Sequence, residues 1–221
     1  MKKEDITNLL NQVSVVVGNI EKVRKAYEPQ LATKFSIFDI VGFDENMVSA
    51  MIAHLLNPKA THAQGNVFLK TFIDRLYFVF QNEFENSSHS SIEELKNASL
   101  LDKACVKTEE TTDIDRRIDI TVKMGDIKFG IENKLWAEEQ SNQLEHYLDY
   151  IQKDCPKGFL VFLRIDPKRE AKTISNRKER CKNGDLIVID YNDILKWLDE
   201  CIKVCKADNI RWYLKEFQQL I

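Results

Sequence analysis

The chain has 221 residues, of which 43% are hydrophobic and 30% are charged, and its formal net charge is −3. This length and apolar content are enough for one globular domain, and seven glycines and four prolines are too few for a disordered or loop-rich chain. The slightly acidic balance excludes a global positive field, so any surface for nucleic acid has to be a local patch. Five cysteines without a Cys-x-x-Cys pair indicate a reducing, cytoplasmic compartment and no structural zinc.

Neither a signal peptide nor a membrane span is expected. The segment Met1-Lys2-Lys3 is followed by the acids Glu4 and Asp5 rather than by an apolar segment. No apolar run approaches the roughly 18 residues that are needed to cross a bilayer.

The first hundred residues show helical periodicity. Predicted helices cover residues 4–27, 44–57, 66–82 and, more weakly, 92–99. Pro29 is expected to end the first helical region, while Asp44 and Pro58 are predicted to start and stop the second helix as its N-cap and its breaker. Residues 35–43 are predicted to be irregular and residues 83–91 to form a loop. We interpret residues 1–43 as an N-terminal helical addition.

The rest of the chain alternates between strands and helices. Strands are predicted at 105–111, 117–123, 127–135, 159–165 and 186–190. Helices are predicted at 137–151, 192–205 and 208–219, and residues 166–185 are predicted to form a long charged loop. This order predicts an α/β fold, an α/β/α sandwich with a central mixed sheet, in a single domain of residues 1–221 with C-terminal helices at 192–221.

A two-residue loop, Gly125-Asp126, is predicted to join the second and third strands as a hairpin. If Met124 pairs with Ile127, the same register places Asp119 directly opposite Glu132. Directly opposed side chains have Cβ atoms about 4.5–5.5 Å apart, and like charges at that distance are destabilising. The pair is therefore expected to hold a cation.

The same register predicts one polar and one apolar face for the hairpin. Arg117 is expected opposite Lys134, and Thr121 opposite Gly130, on the face that carries the two acids. The other face is expected to carry Ile118, Ile120 and Val122 against Asn133, Ile131 and Phe129. The polar face is thus predicted to be a metal site with a lysine beside it and room beside a glycine.

Four motifs in this order resemble those of the PD-(D/E)xK nuclease superfamily. Glu45 opens a helix, Asp119 lies in a strand, Glu132-x-Lys134 lies in the next strand, and Gln143-x-x-x-Tyr147 lies in the next helix. The stretch from Glu45-Asn46-x-x-Ser49 to Phe68-Leu69, with Asn57-Pro58, His62 and Gly65 between them, resembles one branch of small bacterial proteins of that superfamily. The proline that precedes the first acid in the superfamily's name is replaced here by Ile118.

The resemblance implies a restriction-endonuclease-like core and metal-dependent hydrolysis of phosphodiester bonds, with DNA as the expected substrate and phage defence or mobile-element biology as the setting. It implies Mg²⁺ as the cofactor, with Mn²⁺ as a substitute. The implied metal ligands are Asp119, Glu132, the backbone carbonyl of Asn133 and Glu45. Lys134 is expected to orient the attacking water or to stabilise the charge that develops on phosphorus. The implied role of Gln143 and Tyr147, one helical turn apart, is to orient active-site groups or DNA.

Other interpretations of these residues remain open. The acids can form a cross-strand salt-bridge cluster with Arg117 and Lys134, and Glu45 is favoured by the helix dipole in any first turn. Gln143 and Tyr147 can be half-buried helix residues, and His62 can be a hydrogen-bonding loop residue. Seven basic side chains can contact phosphates or form a solvated loop: Lys168, Arg169, Lys172, Arg177, Lys178, Arg180 and Lys182.

Three further predictions concern partners and packing. The whole chain can be a catalytically inactive nuclease-like module that binds nucleic acid or a protein. The apolar stripe of the first helix and the C-terminal helices are candidate faces for a homodimer. The tryptophans, Trp136, Trp197 and Trp212, are expected in core or edge packing.

Overall fold

The computed structural model describes residues 3–32, 35–84, 90–96, 98–135 and 138–221. They fall into two compact units, Met1–Val41 and Gly42–Ile221. The prediction that residues 1–221 form one domain with helical additions at both ends stays a prediction. In the described part of the chain, no helix is both long enough and apolar enough to cross a membrane.

The first unit contains two helices, α1 (Lys3–Leu31) and α2 (Phe38–Val41). The prediction that Pro29 ends the first helix is wrong, because α1 continues past it to Leu31. Pro29 lacks the N–H that would bond to the carbonyl four residues earlier, yet the helix continues for two residues beyond it. The segment 35–43, predicted to be irregular, contains the short α2.

The second unit is built on a five-stranded mixed sheet in the order β1-β2-β3-β4-β5. The strands are β1 (Cys105–Thr111), β2 (Arg117–Met124), β3 (Ile127–Lys134), β4 (Phe159–Arg164) and β5 (Leu186–Asp190). The first three strands pair antiparallel, and β3, β4 and β5 pair parallel. This confirms the predicted α/β class and mixed sheet.

Eight helices of the second unit are described. They are α3 (Glu45–Leu56), α4 (Val67–Glu83), α5 (Ser90–Leu95), α6 (Ala98–Leu101), α7 (Gln143–Asp154), α8 (Arg177–Asn183), α9 (Tyr191–Val204) and α10 (Asp208–Leu220). The Asp44 carboxylate accepts a hydrogen bond of 2.7 Å from the backbone N–H of Met47, which is the predicted N-cap of α3.

Helices cover both faces of the sheet. On one face, Phe72 of α4 stacks on Phe129 of β3 and meets the fully buried Trp197 of α9 edge to face. On the other face, α7 places Ile151 against Gly130 of β3. All eight residues of β3 are buried as a result. The sandwich predicted from the order of the elements is thus observed.

The connections differ from the predictions in two places. Helix α7 begins at Gln143 and not at residue 137, because Asn142 has a left-handed φ of 53° that a helix cannot include. Residues 177–183, predicted as loop, form α8, which buries Cys181 and ends at Gly184 with a φ of 78°. Residues 85–89 of the predicted 83–91 loop, and Trp136, lie outside the described residues. Trp212 is about half exposed.

Candidate active site

The hairpin of β2 and β3 has the predicted loop and register. Met124 pairs with Ile127, and Thr121 pairs with Gly130. Gly125 has a φ of 58°, a conformation that two-residue hairpin loops require and that glycine adopts without a Cβ clash. The regular ladder ends at Ile120, which pairs with Ile131, one residue short of the two acids.

Asp119 lies at a break in the pairing on both sides of β2. The β1–β2 ladder omits Glu109, which has a left-handed φ of 49°, at the place where it would pair with Asp119. The Asp119 carboxylate instead accepts a 2.7 Å hydrogen bond from the backbone N–H of Asn133. The first acid is therefore fixed by the backbone of β3, beside Glu132.

The break also changes which face Ile118 occupies. Its Cγ2 atom lies 3.2 Å from the position that a Cβ on Gly130 would take, and Ile118 packs in the cluster that contains Leu144 and Tyr147 of α7. The prediction that Ile118 shares a face with Ile120 is therefore wrong, and the regular pairing of β2 is interrupted between these two residues, at Asp119. The predicted room beside Gly130 is filled by Ile151, whose Cδ1 atom is only 2.7 Å from that Cβ position.

Glu132 is the most deeply buried acid of the site, with 1% of its surface exposed. Its Oε1 atom accepts a hydrogen bond of 2.8 Å from Nε2 of Gln143 and forms an ion pair of 2.8 Å with Nζ of Lys134. Its Oε2 atom is buried and has no hydrogen-bond partner. A buried carboxylate oxygen without a partner is costly, and so Oε2 is the atom of the site that most needs a proton or a cation beside it.

Burial raises the pKa of both acids. The pKa of Asp119 rises to about 6, first because of desolvation and then because of the negative charges of Glu45 and Glu109, while the Asn133 N–H and Lys134 act against the rise. The pKa of Glu132 rises to about 8, first by desolvation and then by repulsion from Asp119, and Lys134 only partly offsets this. Repulsion between the acids, predicted from the hairpin register, is therefore present but is smaller than the effect of burial.

Glu45 joins the site from the first turn of α3. Its Oε1 atom accepts a hydrogen bond of 3.0 Å from the backbone N–H of Leu135, the residue that follows β3. Its negative charge raises the pKa of Asp119 and of Glu132, as expected for an acid in the same pocket. The N-terminus of α3 is thus tied to the end of the strand that carries Glu132 and Lys134.

The side chain of Asn133, fully buried, joins three elements. Its Nδ2 atom donates to Oγ of Ser49 in α3 at 3.0 Å, and its Oδ1 atom accepts from the hydroxyl of Tyr191 in α9 at 2.8 Å. Sequence reasoning assigned a role only to the backbone carbonyl of Asn133 and missed Tyr191. No local sequence signal points to Tyr191, because it reaches the site only when α9 packs on the sheet.

Gln143 and Tyr147 form a buried pair on α7, on one side of the helix as their spacing predicted, and their role in the reaction stays a prediction. Nε2 of Gln143 donates to the Tyr147 hydroxyl at 3.1 Å as well as to Glu132, and the Tyr147 hydroxyl donates to the carbonyl of Arg117 at 2.6 Å. Burial raises the pKa of Tyr147 to about 12, so it stays protonated and acts as a donor at neutral pH. The pair therefore holds α7 against both strands that carry the acids.

Two residues that were considered for the site, His62 and Arg117, lie outside it. His62 accepts from the backbone N–H of Gln64 at Nδ1 (3.0 Å), which leaves Nε2 to donate to the carbonyl of Asn57 (2.9 Å). It is a buried loop residue with a lowered pKa, chiefly because of desolvation, and its two ring nitrogens are both used. Arg117 forms an ion pair with Glu109 and has a side chain that is 61% exposed, so the predicted cluster with Lys134 does not form.

The residues present suit a hard divalent cation. Two carboxylates, Asp119 and Glu132 with its unpartnered Oε2 atom, can supply oxygen ligands, and Mg²⁺ keeps several waters and needs few protein ligands. The N–H of Asn133 is directed towards β2, and in an antiparallel strand the carbonyl of the same residue points to the same side. In the described part of the chain, no group of three or more His, Cys, Asp or Glu side chains forms a complete metal cluster. Waters and a backbone carbonyl would have to complete the coordination.

Comparison with known proteins identifies the family of the chain. A family model described as PD-(D/E)XK nuclease superfamily matches residues 35–219, which include every residue of the site. No curated protein and no solved structure matches the chain significantly. Proteins of this superfamily hydrolyse phosphodiester bonds in nucleic acids and generally use divalent metal ions. The chain belongs to the PD-(D/E)XK nuclease superfamily.

Proposed function

We propose that this protein is a nuclease that uses Mg²⁺, or Mn²⁺ in its place, to hydrolyse phosphodiester bonds in DNA. The observation that carries the proposal is the buried Oε2 atom of Glu132, which lacks a partner beside Asp119 and Lys134. Membership of the superfamily supports nucleic acid as the substrate. The choice of DNA, and a setting in phage defence or mobile-element biology, are supported by the resemblance of the motifs alone.

Each residue of the site has a chemical task in this proposal. Asp119 and Glu132, with the Asn133 carbonyl, would hold the ion, which supplies a bound water of lowered pKa and polarises the phosphate. Glu45 adds negative charge to the metal-binding pocket. Gln143, fixed by Tyr147, holds the Glu132 carboxylate in one orientation through its 2.8 Å hydrogen bond.

Lys134 is the positively charged side chain of the site that can contact the substrate. Its pKa is raised by the negative charges of Glu132, Asp119 and Glu45 against the opposing effect of burial, so it stays protonated at neutral pH. With a cation held by Glu132, the Lys134 ammonium would be free to donate to a phosphate oxygen or to the attacking water. Hydrogen-bond donors of this kind stabilise the charge that develops in the transition state.

The test is cleavage of linear and circular DNA in Mg²⁺ or Mn²⁺ by the wild type and by Asp119→Ala and Lys134→Ala variants. Asp126→Ala, which changes an exposed acid in the hairpin loop, is the matched control. We expect cleavage by the wild type and the control, and at least a hundredfold loss in the two site variants. Equal cleavage by all four proteins would remove this site from consideration.

A binding module without catalysis is the second candidate. The observation in its favour is the 2.8 Å ion pair between Lys134 and Glu132, which neutralises the buried acid without a metal ion. Titration calorimetry with Mg²⁺ or Mn²⁺ separates the two proposals. Absence of metal binding, or binding unchanged in Glu132→Ala, would favour the binding module.

A cytoplasmic location is also part of the proposal. It is supported by the five cysteines, all of which are free and four of which are buried. Cell fractionation with an antibody against the chain would test it.

A further inference from the structure

A cavity of about 710 Å³ opens on the same face of the sheet as the acids. Its walls contain residues from the end of α4, from β4 and β5, from the loop after β4 and from α8. The basic side chains among them are Arg164, Lys168, Arg177, Lys178 and Lys182, and the acidic ones are Glu83 and Glu170. A chain with a net charge of −3 thus concentrates five bases against two acids at one cavity.

The cavity lies close to the acids in the sheet. Arg164 is the direct partner of Lys134 across the parallel β3–β4 pair, and Val188 of β5 pairs with Phe162, which pairs with Glu132. Side chains that are partners across adjacent strands point to the same face. At about 4.8 Å per strand, Val188 is roughly 10 Å from Glu132, about three nucleotide steps of 3.4 Å in a DNA strand.

Several basic groups of the cavity have no acidic partner. The side chains of Lys168, Lys178 and Lys182 are exposed, and within the described residues no acid lies within ion-pair distance of them. Arg164 donates from Nη1 to the carbonyl of Arg169, but its Nε atom is buried and without a partner. Arg177 is the exception, because it pairs with Glu170 at 2.9 Å.

We propose that this cavity, defined by Arg164, Lys168, Lys178, Lys182 and Val188, binds phosphates of the nucleic-acid strand that is cleaved. These phosphates lie beside the phosphate that is hydrolysed. The inference rests on the proposed nuclease function and adds the path of the substrate. Lysine and arginine beside a phosphate release counterions, which gives binding that is insensitive to base sequence and weakens with salt. Seven basic residues between 168 and 182 are predicted to form either a solvated loop or a phosphate-binding segment. Four of them line the cavity and are assigned to phosphate binding, and the other three are not.

The test is fluorescence anisotropy with a short labelled DNA strand, in EDTA so that no cleavage occurs. A Lys178→Gln/Lys182→Gln variant is compared with Lys203→Gln/Lys215→Gln, which removes two exposed lysines of α9 and α10 away from the cavity. For the cavity variant we expect a Kd about tenfold higher and a log–log salt slope smaller by between about one and two. The control is expected to bind as the wild type does.

Wild-type affinity in the cavity variant, or an equal loss in the control, would overturn the proposal. Full competition by inorganic phosphate at low millimolar concentration, with no dependence on strand length, would also overturn it in favour of a small-anion site. A wild type that does not cleave but still needs Lys178 and Lys182 for binding would sink the nuclease proposal and leave this one standing.

A separate observation concerns α1. Its apolar side chains repeat every seven residues at two positions, a and d of a heptad. Ile6, Val13, Ile20 and Tyr27 occupy the a positions, and Leu9, Val16 and Val23 occupy the d positions. All seven are between 41% and 61% exposed, and we refer to them as the α1 seam.

The α1 seam has the length and pattern of a coiled coil. Three consecutive heptads carry an apolar residue at both positions, while the two residues least suited to a helix, Gly18 and Pro29, lie at outer f and c positions. A helix of 29 residues is about 44 Å long and about 10 Å wide, so one face offers on the order of 700 Å². That is close to the roughly 800 Å² that each partner contributes to a stable interface.

The charges beside the seam favour an identical helix as its partner. The e and g positions that flank it carry only one acid, Asp5, and one base, Arg24, over residues 5–26. Coiled coils that choose a different partner do so through charges at these positions. Two identical copies of α1 meet no like-charge repulsion along the seam.

We infer that the α1 seam packs against the same seam of a second copy of this chain, so that the protein self-associates through a coiled coil. Sedimentation equilibrium of the full chain at tens of micromolar should then give a multiple of 25.8 kDa. Val16→Glu, at a d position, should give a monomer. Val15→Glu is the matched control, since Val15 is the adjacent valine, 64% exposed, and lies at an outer c position.

Two, three or four copies would each support the inference, because β-branched residues at a favour two strands when leucine is at d, and the d positions here mix one leucine with two valines. A wild-type monomer at this concentration, or dissociation by Val15→Glu as much as by Val16→Glu, would overturn it. Circular dichroism of both variants checks that the second unit is still folded.

Discussion

Without a bound cation, the two acids of this site destabilise the folded state. The causes can be traced to individual residues. Glu132 is almost wholly buried and Asp119 lies beside it, so that an ionised pair loses hydration and each acid repels the other. Gln143, Lys134 and the Asn133 N–H compensate for part of this cost. The part of the cost that is not compensated lowers the free energy of unfolding, because the folded state keeps two carboxylates buried and close together.

We therefore expect Asp119→Asn to raise the free energy of unfolding of the metal-free protein by about 1–3 kcal/mol at neutral pH while abolishing cleavage. The amide keeps an acceptor for the Asn133 N–H and removes the charge that repels Glu132. Urea unfolding in EDTA measures the change. A variant less stable than the wild type would contradict the argument from burial and repulsion.

The same residues predict a pH dependence whose sign follows from the raised pKa of Asp119. The folded state takes up a proton near pH 6, whereas the unfolded state does so only near 3.8, so that folding binds protons between these values. The metal-free protein should thus gain stability as the pH falls from about 7.5 to about 5. In Asp119→Asn this gain should shrink. Parallel urea titrations at the two pH values are the measurement, and a wild type more stable at the higher pH would contradict the prediction.

Much of the site was predictable at the residue scale because its chemistry is local. Asp119, Glu132 and Lys134 lie within one hairpin, where a two-residue loop sets the register without help from the rest of the chain. The role of the Asn133 side chain was not predictable. It depends on Tyr191, 58 residues further along the chain, and on Ser49, 84 residues before it.

At the scale of elements, the contact between β3 and α7 determines where Glu132 and Gln143 meet. Gly130 lies two residues before Glu132, and a Cβ at that position would meet Ile151 of α7 at 2.7 Å and Leu160 of β4 at 3.3 Å. Its φ is not in the left-handed region, so the glycine is required by the close approach of the helix and not by backbone conformation. The hairpin was predicted correctly, but the side chains that cover it were not.

Gly130→Ala should destabilise the protein by about 1–2 kcal/mol, because the added methyl group overpacks a filled space. Ile151→Val removes the Cδ1 atom that is nearest to the new methyl group, and on its own it should cost about 1 kcal/mol. In the double variant the two losses should be less than additive. A double-mutant cycle by urea unfolding measures the coupling, and strictly additive losses would show that Ile151 is not what excludes a side chain at residue 130.

The elements that sequence reasoning misplaced are held by long-range contacts. Helix α8 lies in a stretch whose charges suggested a solvated loop, yet Arg180 reaches Glu145 of α7 at 2.9 Å and Asp185 at 3.6 Å. Glu145 of α7 also accepts hydrogen bonds from Ser175 in the loop after β4, so α7 and this loop are joined by contacts between distant parts of the chain. Periodicity within either segment contains no information about these partners.

On the scale of the whole second unit, the site is the place where four separate elements meet. Helix α3 contributes Glu45, the hairpin contributes Asp119 and Lys134, α7 contributes Gln143, and α9 contributes the hydroxyl of Tyr191. The element order alone predicted the mixed sheet that brings them together, because a hairpin followed by a strand–helix–strand unit leaves few other arrangements. Stability and metal affinity should consequently be linked across the unit and not only within the hairpin.

The last prediction is a consequence of that linkage. An ion that binds only the folded protein stabilises it by about 2.7 kcal/mol at a concentration of 100 Kd, which for a domain of this size raises Tm by about 5–10 °C. We expect this rise when Mg²⁺ is added to the EDTA-treated wild type and to Asp126→Asn, whose change lies in the exposed hairpin loop. Glu132→Gln should show no rise, because the amide removes the charge that holds the ion although it keeps an acceptor for Gln143. Differential scanning calorimetry with and without Mg²⁺ measures the shifts. An equal rise in Glu132→Gln would place the bound ion elsewhere in the molecule, and Lys134 and Gln143 would then be the partners that stabilise the buried Glu132.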